Sequence, residues 1–391
     1  MPRWQNWSGK LEGRPSTLHF LRSEADAQAL AAAATASGSR LRVAGATHSH
    51  APLVLNDAGI IADIGGLAGV VSVDRERASA RVWGGSRLFA LGNALNQLGL
   101  AFANQGDIDQ QAIAGATATG THGTGKDLRN FSAAVLGMRL VLADGQVVET
   151  SAEQSPELWQ AARLHLGAFG IVTQLEMQLR PRYRLQEQRW EASLDDILDE
   201  CQTRIEGNRH FEFFWYPQAD RAEAKIINET DEPPDYPLGA EGTRCGWSHE
   251  VLPNHRPVRH TEMEYSVPAE RGIDCLRELQ RLLRGEFRHI QWPVEYRTLA
   301  ADDVWLSTAY QRATVTISVH QAVEEDDEPY FRACEEIFLG HGGRPHWGKV
   351  HYLAGGQLAG IHERWANWWR VRDQVDPSGT FLNDYLAGLR P

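Results

Sequence analysis

The spacing of apolar residues changes along the chain, and each spacing predicts a different secondary structure. Residues 86–99 carry leucine at every third or fourth position, which predicts an amphipathic helix that ends at Gly99. Residues 78–83 and 314–320 alternate between apolar and polar side chains, which predicts strands with one buried face. Because both patterns occur, the sequence predicts a fold that mixes helices and strands.

Capping and turn residues set the limits of further elements. Ser23 is a predicted N-cap for an alanine-rich helix that runs to Ala36, and Asp144-Gly145 is a predicted hairpin turn within residues 137–150. The other predicted elements are strands at 41–45, 168–179 and 210–216, and helices at 156–166, 272–284 and 328–339. The segment 227–254 is rich in charge and proline, which predicts a long surface loop.

Length, composition and charge narrow the class of protein. The 391 residues are enough for two domains, and a change of composition near residues 180–182 predicts a boundary there. The net charge of −12 argues against nucleic acid or an anionic membrane as a partner. No run of about 18 apolar residues predicts a membrane span, the first residues lack a signal-peptide pattern, and we expect a cytoplasmic protein. The four cysteines form no C-x-x-C pair, so we expect reduced thiols and no metal site.

Residues 112–125 read A-I-A-G-A-T-A-T-G-T-H-G-T-G, and almost every side chain in this predicted loop is small. Its glycines let the backbone approach a ligand, and successive exposed N–H groups can hold an anion such as phosphate. The stretch lacks the glycine and lysine order of a nucleotide-triphosphate loop and does not open a βαβ unit. A structural turn therefore stays an alternative to a phosphate-binding loop.

Residues 41–50 read L-R-V-A-G-A-T-H-S-H, a short strand that enters a turn of small residues. His48 in this turn is either a loop residue bonded to the backbone or a reactive group. An imidazole is a competent nucleophile at neutral pH because its ordinary pKa is about 6.5. His50 offers a second imidazole two residues further on.

Charged and imidazole side chains in the second half of the chain form a third group of candidates. Glu295 and Arg297 stand two residues apart in an extended segment, so they point to the same face of a strand. Such a pair is either a solvated ion pair or part of a polar pocket. His320 ends an alternating strand and is either a structural residue or a contact for a substrate.

The strand and turn that lead to His48-Ser49, followed later by G-x-x-x-x-G-T-H-G-T-G at residues 115–125, resemble the flavin-binding half of the vanillyl-alcohol-oxidase superfamily. Within it, the chain is most similar to the alditol (xylitol) oxidases and the sugar-1,4-lactone (gulonolactone and arabinonolactone) oxidases. The resemblance extends over essentially the whole chain, because it includes L-G-A-F-G-I-V-T at 166–173, H-W-G-K at 346–349 and F-L-N-D-Y-L at 381–386.

This resemblance implies an α+β, two-domain fold of the PCMH type with FAD as its cofactor. It implies an FAD-binding domain of two α/β subdomains at 1–182, a cap domain with an antiparallel sheet at 183–345, and a segment at 346–391 that returns to the FAD domain. His48 is the residue that such proteins join covalently to the flavin. The implied cofactor-binding positions are Val43, Ala44, Gly45, Ala46, Thr47, His48, Ser49, Ala112, Thr117, Gly120, Thr124, Gly125, Gly170, Ile171 and His346.

The resemblance also implies the chemistry, which is oxidation of a CH–OH group of an alditol or sugar lactone by hydride transfer to flavin N5. The implied catalytic residues are Glu295, Arg297 and Lys349. The implied substrate contacts are Ala112, Glu295, Arg297, His320 and Lys349. Ala322 departs from the alditol oxidases, which place a threonine there, so one hydroxyl contact is missing.

The expected partners are a small polyol or sugar lactone and molecular oxygen, which would yield hydrogen peroxide, and the expected oligomeric state is a monomer. Two alternatives stay open. One is a flavin dehydrogenase that passes electrons from an aldonolactone to an acceptor other than oxygen. The other is a protein that binds flavin or sugar without turnover, which the intact Glu295, Arg297 and Lys349 argue against.

Overall fold

The computed structural model describes residues 2–390, and the first part of the chain forms a small parallel sheet and a larger antiparallel sheet. Its strands are β1 Trp4–Gln5, β2 Glu12–Gly13, β3 Thr17–Phe20, β4 Leu41–Ala44, β5 Ile60–Asp63, β6 Val70–Asp74, β7 Ser79–Trp83, β8 Leu100–Ala101, β9 Val135–Val141, β10 Val147–Ser151, β11 Ile171–Gln178 and β12 Arg180–Pro181. Its helices are α1 Glu24–Ala36, α2 Leu88–Gln97, α3 Ile113–Thr119 and α4 Pro156–Ala162, with a 3-10 turn at Phe131–Ala134.

Strand pairing separates these elements into two subdomains. Strands β3, β5 and β4 pair in parallel in that order. Strands β10, β9, β11, β7 and β6 form an antiparallel sheet in that order. Helix α3 is anchored to this sheet, since the amide of Ala114 donates to the carbonyl of Gly84 directly after β7.

The second part of the chain is built around one antiparallel sheet of eight strands in the order β16-β13-β15-β14-β18-β19-β17-β20. These strands are β13 Arg184–Ala192, β14 His210–Tyr216, β15 Arg221–Glu229, β16 Cys245–Trp247, β17 His260–Pro268, β18 Val294–Leu299, β19 Thr314–Ala322 and β20 Arg344–Pro345. The helices are α5 Leu194–Gly207, α6 Ser248–Val251, α7 Gly272–Gly285 and α8 Glu328–Gly340, followed by α9 Gly355–Ile361, α10 Trp365–Val375 and α11 Asp384–Gly388.

Side-chain alternation gives the eight-stranded sheet two different faces. Apolar residues such as Tyr296 and Ile317 form a buried core with helices α5, α7 and α8. The opposite face carries the charged residues Glu264, Glu295 and Arg297, which are buried although they are ionisable. Since buried charges require partners, this face of the sheet is the part of the cap region suited to chemistry.

The last helices pack against the first part of the chain. Trp365 and Trp368 of α10 and Leu386 of α11 belong to the same buried core as Val135 and Leu175 of the antiparallel sheet. The chain therefore returns to its N-terminal half after β20, as the resemblance implies. The limits 182 and 345 stay predictions for the domain boundaries.

Several sequence predictions are confirmed by these elements. Ser23 caps α1 and its Oγ accepts from the amide of Asp26. The hairpin predicted at 137–150 corresponds to β9 and β10, and the strands predicted at 210–216 and 314–320 correspond to β14 and β19. The α+β, two-domain class is also confirmed.

Three local predictions are wrong. Residues 113–119 form helix α3 rather than a loop, because the three alanines favour helix and are buried. The segment 227–254 is not a continuous loop, since it completes β15 and contains β16 and α6. Helix α4 ends at Ala162 rather than Leu166, whose φ of +51° is incompatible with a continued helix.

Candidate active site

A cleft of roughly 1270 Å³, counting the open space at its mouth, lies between the first part of the chain and the eight-stranded sheet. Its walls come from the turn after β4, the start of α3, the segment before β11, strand β17 and the segment after β20. The predicted site residues that line it are Val43, Gly45, Ala46, Thr47, His48, Ser49, Ala112, Gly170, His346 and Lys349.

Small residues shape the cleft on the side of the first domain. A Cβ atom at Gly45 would lie 2.8 Å from the Cβ atom of Ala112, so the turn after β4 and the start of α3 touch only because Gly45 has no side chain. A Cβ at Gly115 would meet no other atom within 4 Å, so this residue borders open space. The backbone of both segments is therefore accessible to a large ligand.

Buried polar atoms in the cleft wall require partners that the protein does not supply. Within residues 2–390, His50 Nδ1, Gln111 Oε1 and Trp4 Nε1 are buried and make no hydrogen bond. All three residues line the cleft. Because unpaired buried polar atoms are costly, a ligand with several hydrogen-bonding groups fits this cleft better than a purely apolar one.

His48 lies in the cleft wall with its ring stacked on Trp7, at a centroid separation of 5.2 Å. Burial lowers the pKa of His48 to about 4, and the cations of Lys349 and Arg87 act in the same direction. The imidazole is therefore neutral at neutral pH and has a free lone pair. A neutral, accessible ring nitrogen is the form that a covalent bond requires.

The charged face of the sheet forms a second wall next to the cleft. Arg297 Nη2 forms an ion pair with Glu264 and lies 3.2 Å from Glu295 Oε2. The prediction that Glu295 and Arg297 share one face of a strand is confirmed by this contact. Glu262, Glu295 and His320 each place a ligand atom within 4.8 Å of the others, and Glu262 lines the cleft.

Lys349 reaches this wall from the segment after β20. Its Nζ forms an ion pair with Glu262, whose side chain is only 7% exposed. His320 Nδ1 lies 2.8 Å from the carbonyl of Pro293, and since a carbonyl only accepts, Nδ1 carries the proton. Burial lowers the pKa of His320 to about 4, so His320 Nε2 has a free lone pair at neutral pH.

The carboxyl groups on this wall differ in their acidity. Burial raises the pKa of Glu295 to about 8 and outweighs the opposing effect of Arg297. Burial acts in the same sense on Glu262, but the ammonium group of Lys349 opposes it most strongly, and the pKa of Glu262 lies well below its usual range. The pKa of Glu264 is likewise low despite burial, because His122 and Arg297 stabilise the ionised form. The wall thus combines ionised carboxylates with one carboxyl that is protonated at neutral pH.

The remaining predicted cofactor residues do not line the cleft. The hydroxyl of Thr117 donates to the carbonyl of Ile113 within α3, and that of Thr124 donates to the carbonyl of Phe211 on β14. The other residues of this group are Ala44, Gly120, Gly125 and Ile171. Their role in cofactor binding stays a prediction.

The sequence predictions missed four residues of the site, namely His122, His260, Glu262 and Glu264. Strand β17, which carries the last three, was not predicted at all. The run T-E-M-E-Y-S-V at 261–267 alternates between the two faces, so a count of alternating positions would have found it. His122 lies within the quoted G-T-H-G motif, but no local pattern indicates its contact with Glu264, because Glu264 lies on a different element.

Three groups of histidine and carboxylate atoms within residues 2–390 are close enough to hold a metal ion. They are His50–His260–Glu262, His122–Glu264–His346 and Glu262–Glu295–His320. In each group a carboxylate already pairs with a cation, either Lys349 or Arg297. The expectation of no metal site stays a prediction.

None of the helices in residues 2–390 combines the length and the apolar composition of a membrane-spanning helix.

Comparison with known proteins identifies the class of enzyme to which the chain belongs. Residues 15–151 match the model of the FAD-binding domain. The fold is similar to cholesterol oxidase from Brevibacterium sterolicum, with a TM-score of 0.86 and 15% identity over 100% of this chain and 96% of that chain. It is also similar to 6-hydroxy-D-nicotine oxidase from Arthrobacter nicotinovorans, with a TM-score of 0.75 and 18% identity over 97% of this chain and 94% of that one. The protein is an FAD-dependent oxidoreductase that acts on CH–OH donors.

The family follows from the second half of the chain. Residues 175–242 and 238–389 match the model described as D-arabinono-1,4-lactone oxidase, and the chain belongs to this family. It is 37% identical to an L-gulono-1,4-lactone dehydrogenase of Mycobacterium tuberculosis, over 98% of both chains. It is 28% identical to an alditol oxidase of a Streptomyces species over 98% of both, and 26% identical to bovine L-gulonolactone oxidase over 98% of this chain and 97% of that one.

Proposed function

We propose that the protein oxidises a CH–OH group of a sugar-1,4-lactone, with FAD bound in the cleft through His48 and with molecular oxygen as the electron acceptor. The observation that carries this proposal is the pair of cations, Arg297 and Lys349, beside a cleft whose unpaired polar atoms suit a large polar cofactor. An alditol is the second candidate substrate, since an alditol oxidase is among the relatives.

Each charged or imidazole side chain of this wall has its own role in the proposed reaction. FAD, when bound, supplies the acceptor for the hydride that leaves the carbinol carbon. Arg297 and Lys349 hold the hydroxyl oxygen and stabilise the negative charge that develops there. His320 Nε2 is the free lone pair of this wall that can receive the hydroxyl proton, because Nδ1 is committed to the carbonyl of Pro293. Since the pKa of His320 is about 4, the proton then passes to solvent, and direct transfer to solvent is the alternative. Glu295 binds a neighbouring oxygen of the substrate and helps to orient Arg297.

The choice of a lactone over an open-chain polyol rests on two observations. The relative with 37% identity is a gulonolactone enzyme, whereas the alditol oxidase shares 28%. Ala322, at the end of β19, has no hydroxyl for an additional polyol contact. A panel of aldonolactones and alditols, followed by peroxide formation in air and by dye reduction without oxygen, tests both substrate and acceptor. Dye reduction without peroxide would favour the dehydrogenase alternative, and no turnover with any compound would contradict the proposal.

His48→Ala is expected to leave a folded protein that binds FAD without a covalent bond. The protein with His48 should stay yellow after acid precipitation, whereas the variant should release its flavin into the supernatant. His50→Ala is the matched control, because His50 lies in the same cleft and is expected to keep the bond. Flavin retained by acid-precipitated His48→Ala would contradict the assignment. Mass spectrometry of the peptide that contains residue 48 gives an independent measurement.

Glu295→Gln is expected to remove a pH dependence rather than the activity. Burial raises the pKa of Glu295 to about 8, so the carboxyl is neutral below that pH and charged above it. A negative charge beside the reacting oxygen opposes the effect of Arg297 and Lys349, so kcat/KM should decline as pH rises past about 8. The amide stays neutral and can still donate, so activity should fall by no more than about tenfold and the decline should vanish. Complete loss of activity in Glu295→Gln at neutral pH would contradict this role and show that the carboxyl group itself is required.

We also propose a monomer, which light scattering of the purified holoenzyme would test.

A further inference from the structure

His122, in the G-T-H-G stretch after α3, makes two hydrogen bonds that fix its protons. His122 Nδ1 lies 2.8 Å from the carbonyl of Gly123, and Nε2 lies 2.9 Å from Glu264 Oε1. A carbonyl oxygen can only accept, so Nδ1 must donate. If Glu264 is ionised, Nε2 must donate as well, and the imidazole carries both protons.

The surroundings of Glu264 show that it is ionised. Glu264 Oε2 accepts from Ser318 Oγ at 2.8 Å and from Arg297 Nη2. Oε2 therefore receives two donors that do not depend on His122, and one of them is a permanently charged guanidinium, which favours the ionised carboxylate. The His122 and Glu264 side chains are 2% and 1% exposed, so their interaction is only weakly screened by solvent.

We propose that His122 is a positioning residue that acts in its doubly protonated form, by holding Glu264 so that Glu264 fixes the orientation of the Arg297 guanidinium. The proposal rests on the function proposed above, because it concerns how Arg297 is presented to the substrate. In this proposal the His122 side chain of the G-T-H-G stretch supports the charged face of the eight-stranded sheet, which we call the catalytic wall. This role is separate from any backbone contact of the stretch with the cofactor.

The contacts of Arg297 explain why its orientation needs support. Arg297 Nη2 is directed at Glu264 and Glu295, whereas Nη1 makes no hydrogen bond with residues 2–390 and Nε is buried without a partner. The guanidinium is therefore fixed at one nitrogen, and the other edge is left for the substrate. Since a planar guanidinium transmits a rotation at one nitrogen to the other, a mobile Glu264 would misalign Nη1.

Two other groups face the His122–Glu264 pair. Ser318 on β19 donates to the carboxylate, and the ring of His346 lies 5.7 Å from that of His122. His346 Nδ1 accepts from the amide of Gly348, and burial lowers the pKa of His346 to about 4, so His346 is neutral at neutral pH. The charge that balances Glu264 therefore comes from Arg297 and His122, which act from opposite sides.

The kinetic test compares His122→Asn with His122→Gln. The glutamine amide can still donate to Glu264, whereas the shorter asparagine can reach only the Gly123 carbonyl. We expect His122→Asn to lower kcat by about 10- to 100-fold with a smaller change in KM, and His122→Gln to restore most of that loss. Equal losses in both variants, or a loss confined to KM, would overturn the proposal.

The matched control is His341→Gln, which alters a second histidine–glutamate pair outside the catalytic wall. His341 Nε2 lies 2.9 Å from Glu278 Oε2, the same separation as in the His122 pair, and joins α8 to α7. We expect its kcat and KM to equal those of the unaltered enzyme. A loss in His341→Gln as large as that in His122→Asn would show that the effect is merely structural.

A measurement without substrate tests the proton count directly. In the holoenzyme labelled with 15N-histidine, the resonances that disappear in His122→Gln should show protons on both ring nitrogens at neutral pH. The same resonances should change to a singly protonated ring in Glu264→Gln, because the amide does not stabilise the imidazolium. A singly protonated His122 in the unaltered holoenzyme would overturn the proposal, even if the enzyme oxidises lactones as proposed. If it oxidises no lactone or alditol, the proposed function fails while the proton count is still measured.

Discussion

Arg297→Ala is expected to lower kcat by about 10²- to 10³-fold while FAD stays bound. The guanidinium is the cation directly beside Glu295. In the proposed function, its free edge holds the oxygen that becomes negative during hydride transfer. An alanine removes this stabilisation, which exists mainly in the transition state, so kcat should fall more than KM rises. Anaerobic stopped-flow measurement of flavin bleaching at saturating substrate isolates this step from the reaction with oxygen.

Two further variants test whether the fall in kcat is caused specifically by removal of the Arg297 guanidinium. Arg297→Lys keeps the charge but not the planar fork, and an intermediate activity is expected. Arg189→Ala is the matched control, because Arg189 lies on β13 of the same sheet and pairs with Glu223 away from the cleft. Its kcat should be unchanged. Normal turnover by flavin-loaded Arg297→Ala would show that Arg297 is not catalytic.

Local patterns in the sequence were sufficient to place Glu295 and Arg297 on one face of a strand. In any extended strand, side chains two residues apart point to the same face of the sheet. In the structure these two side chains lie 3.2 Å apart on that face. The N-cap of α1 and the hairpin turn at Asp144-Gly145 were equally predictable, because each depends on residues within a few positions of one another. The family could be identified for the same reason, since its motifs are short and contiguous.

Interactions between distant segments could not be predicted in this way. His122 and Glu264 are separated by 142 positions, and they meet only because the stretch after α3 docks on the eight-stranded sheet. The segment 227–254 was misassigned for a related reason. Its order comes from pairing of β16 with β13 and from the buried ion pair between Arg244 and Glu187, neither of which leaves a periodic local pattern.

The residues of helix α3 give two opposing sequence signals, one for a loop and one for a helix. Glycine and threonine suggested a loop, but Ala114, Ala116 and Ala118 favour helix and are buried. Gly120 ends the helix with a φ of +74°, so the non-helical part of the stretch begins only there. The glycines thus have different roles, since Gly115 borders the cleft whereas Gly120 terminates the helix.

Arg42→Leu is expected to lower the free energy of unfolding by about 3–5 kcal/mol. Arg42 on β4 is 1% exposed, and its guanidinium donates to four backbone carbonyls. These carbonyls belong to Leu53, Leu166, Gly167 and Phe381, so one side chain joins the turn after β4, the segment before β11 and the C-terminal segment. Leucine would remove a donor from all four carbonyls, and among residues 2–390 only that of Leu53 would keep another donor, Asn383 Nδ2. Buried acceptors left without a donor are costly.

Arg40→Leu is the matched control, because Arg40 precedes β4 and also pairs with the C-terminal segment, through Asp384, but is about half exposed. Its effect should stay below about 1 kcal/mol, as for surface ion pairs in general. Denaturant midpoints of both variants, each saturated with FAD, give the comparison, since Arg42 lines the cleft and loss of cofactor would add to the effect. Equal midpoints for the two variants would mean that the buried guanidinium does not hold the C-terminal segment in place, and that the core around Trp365 and Trp368 is sufficient to do so.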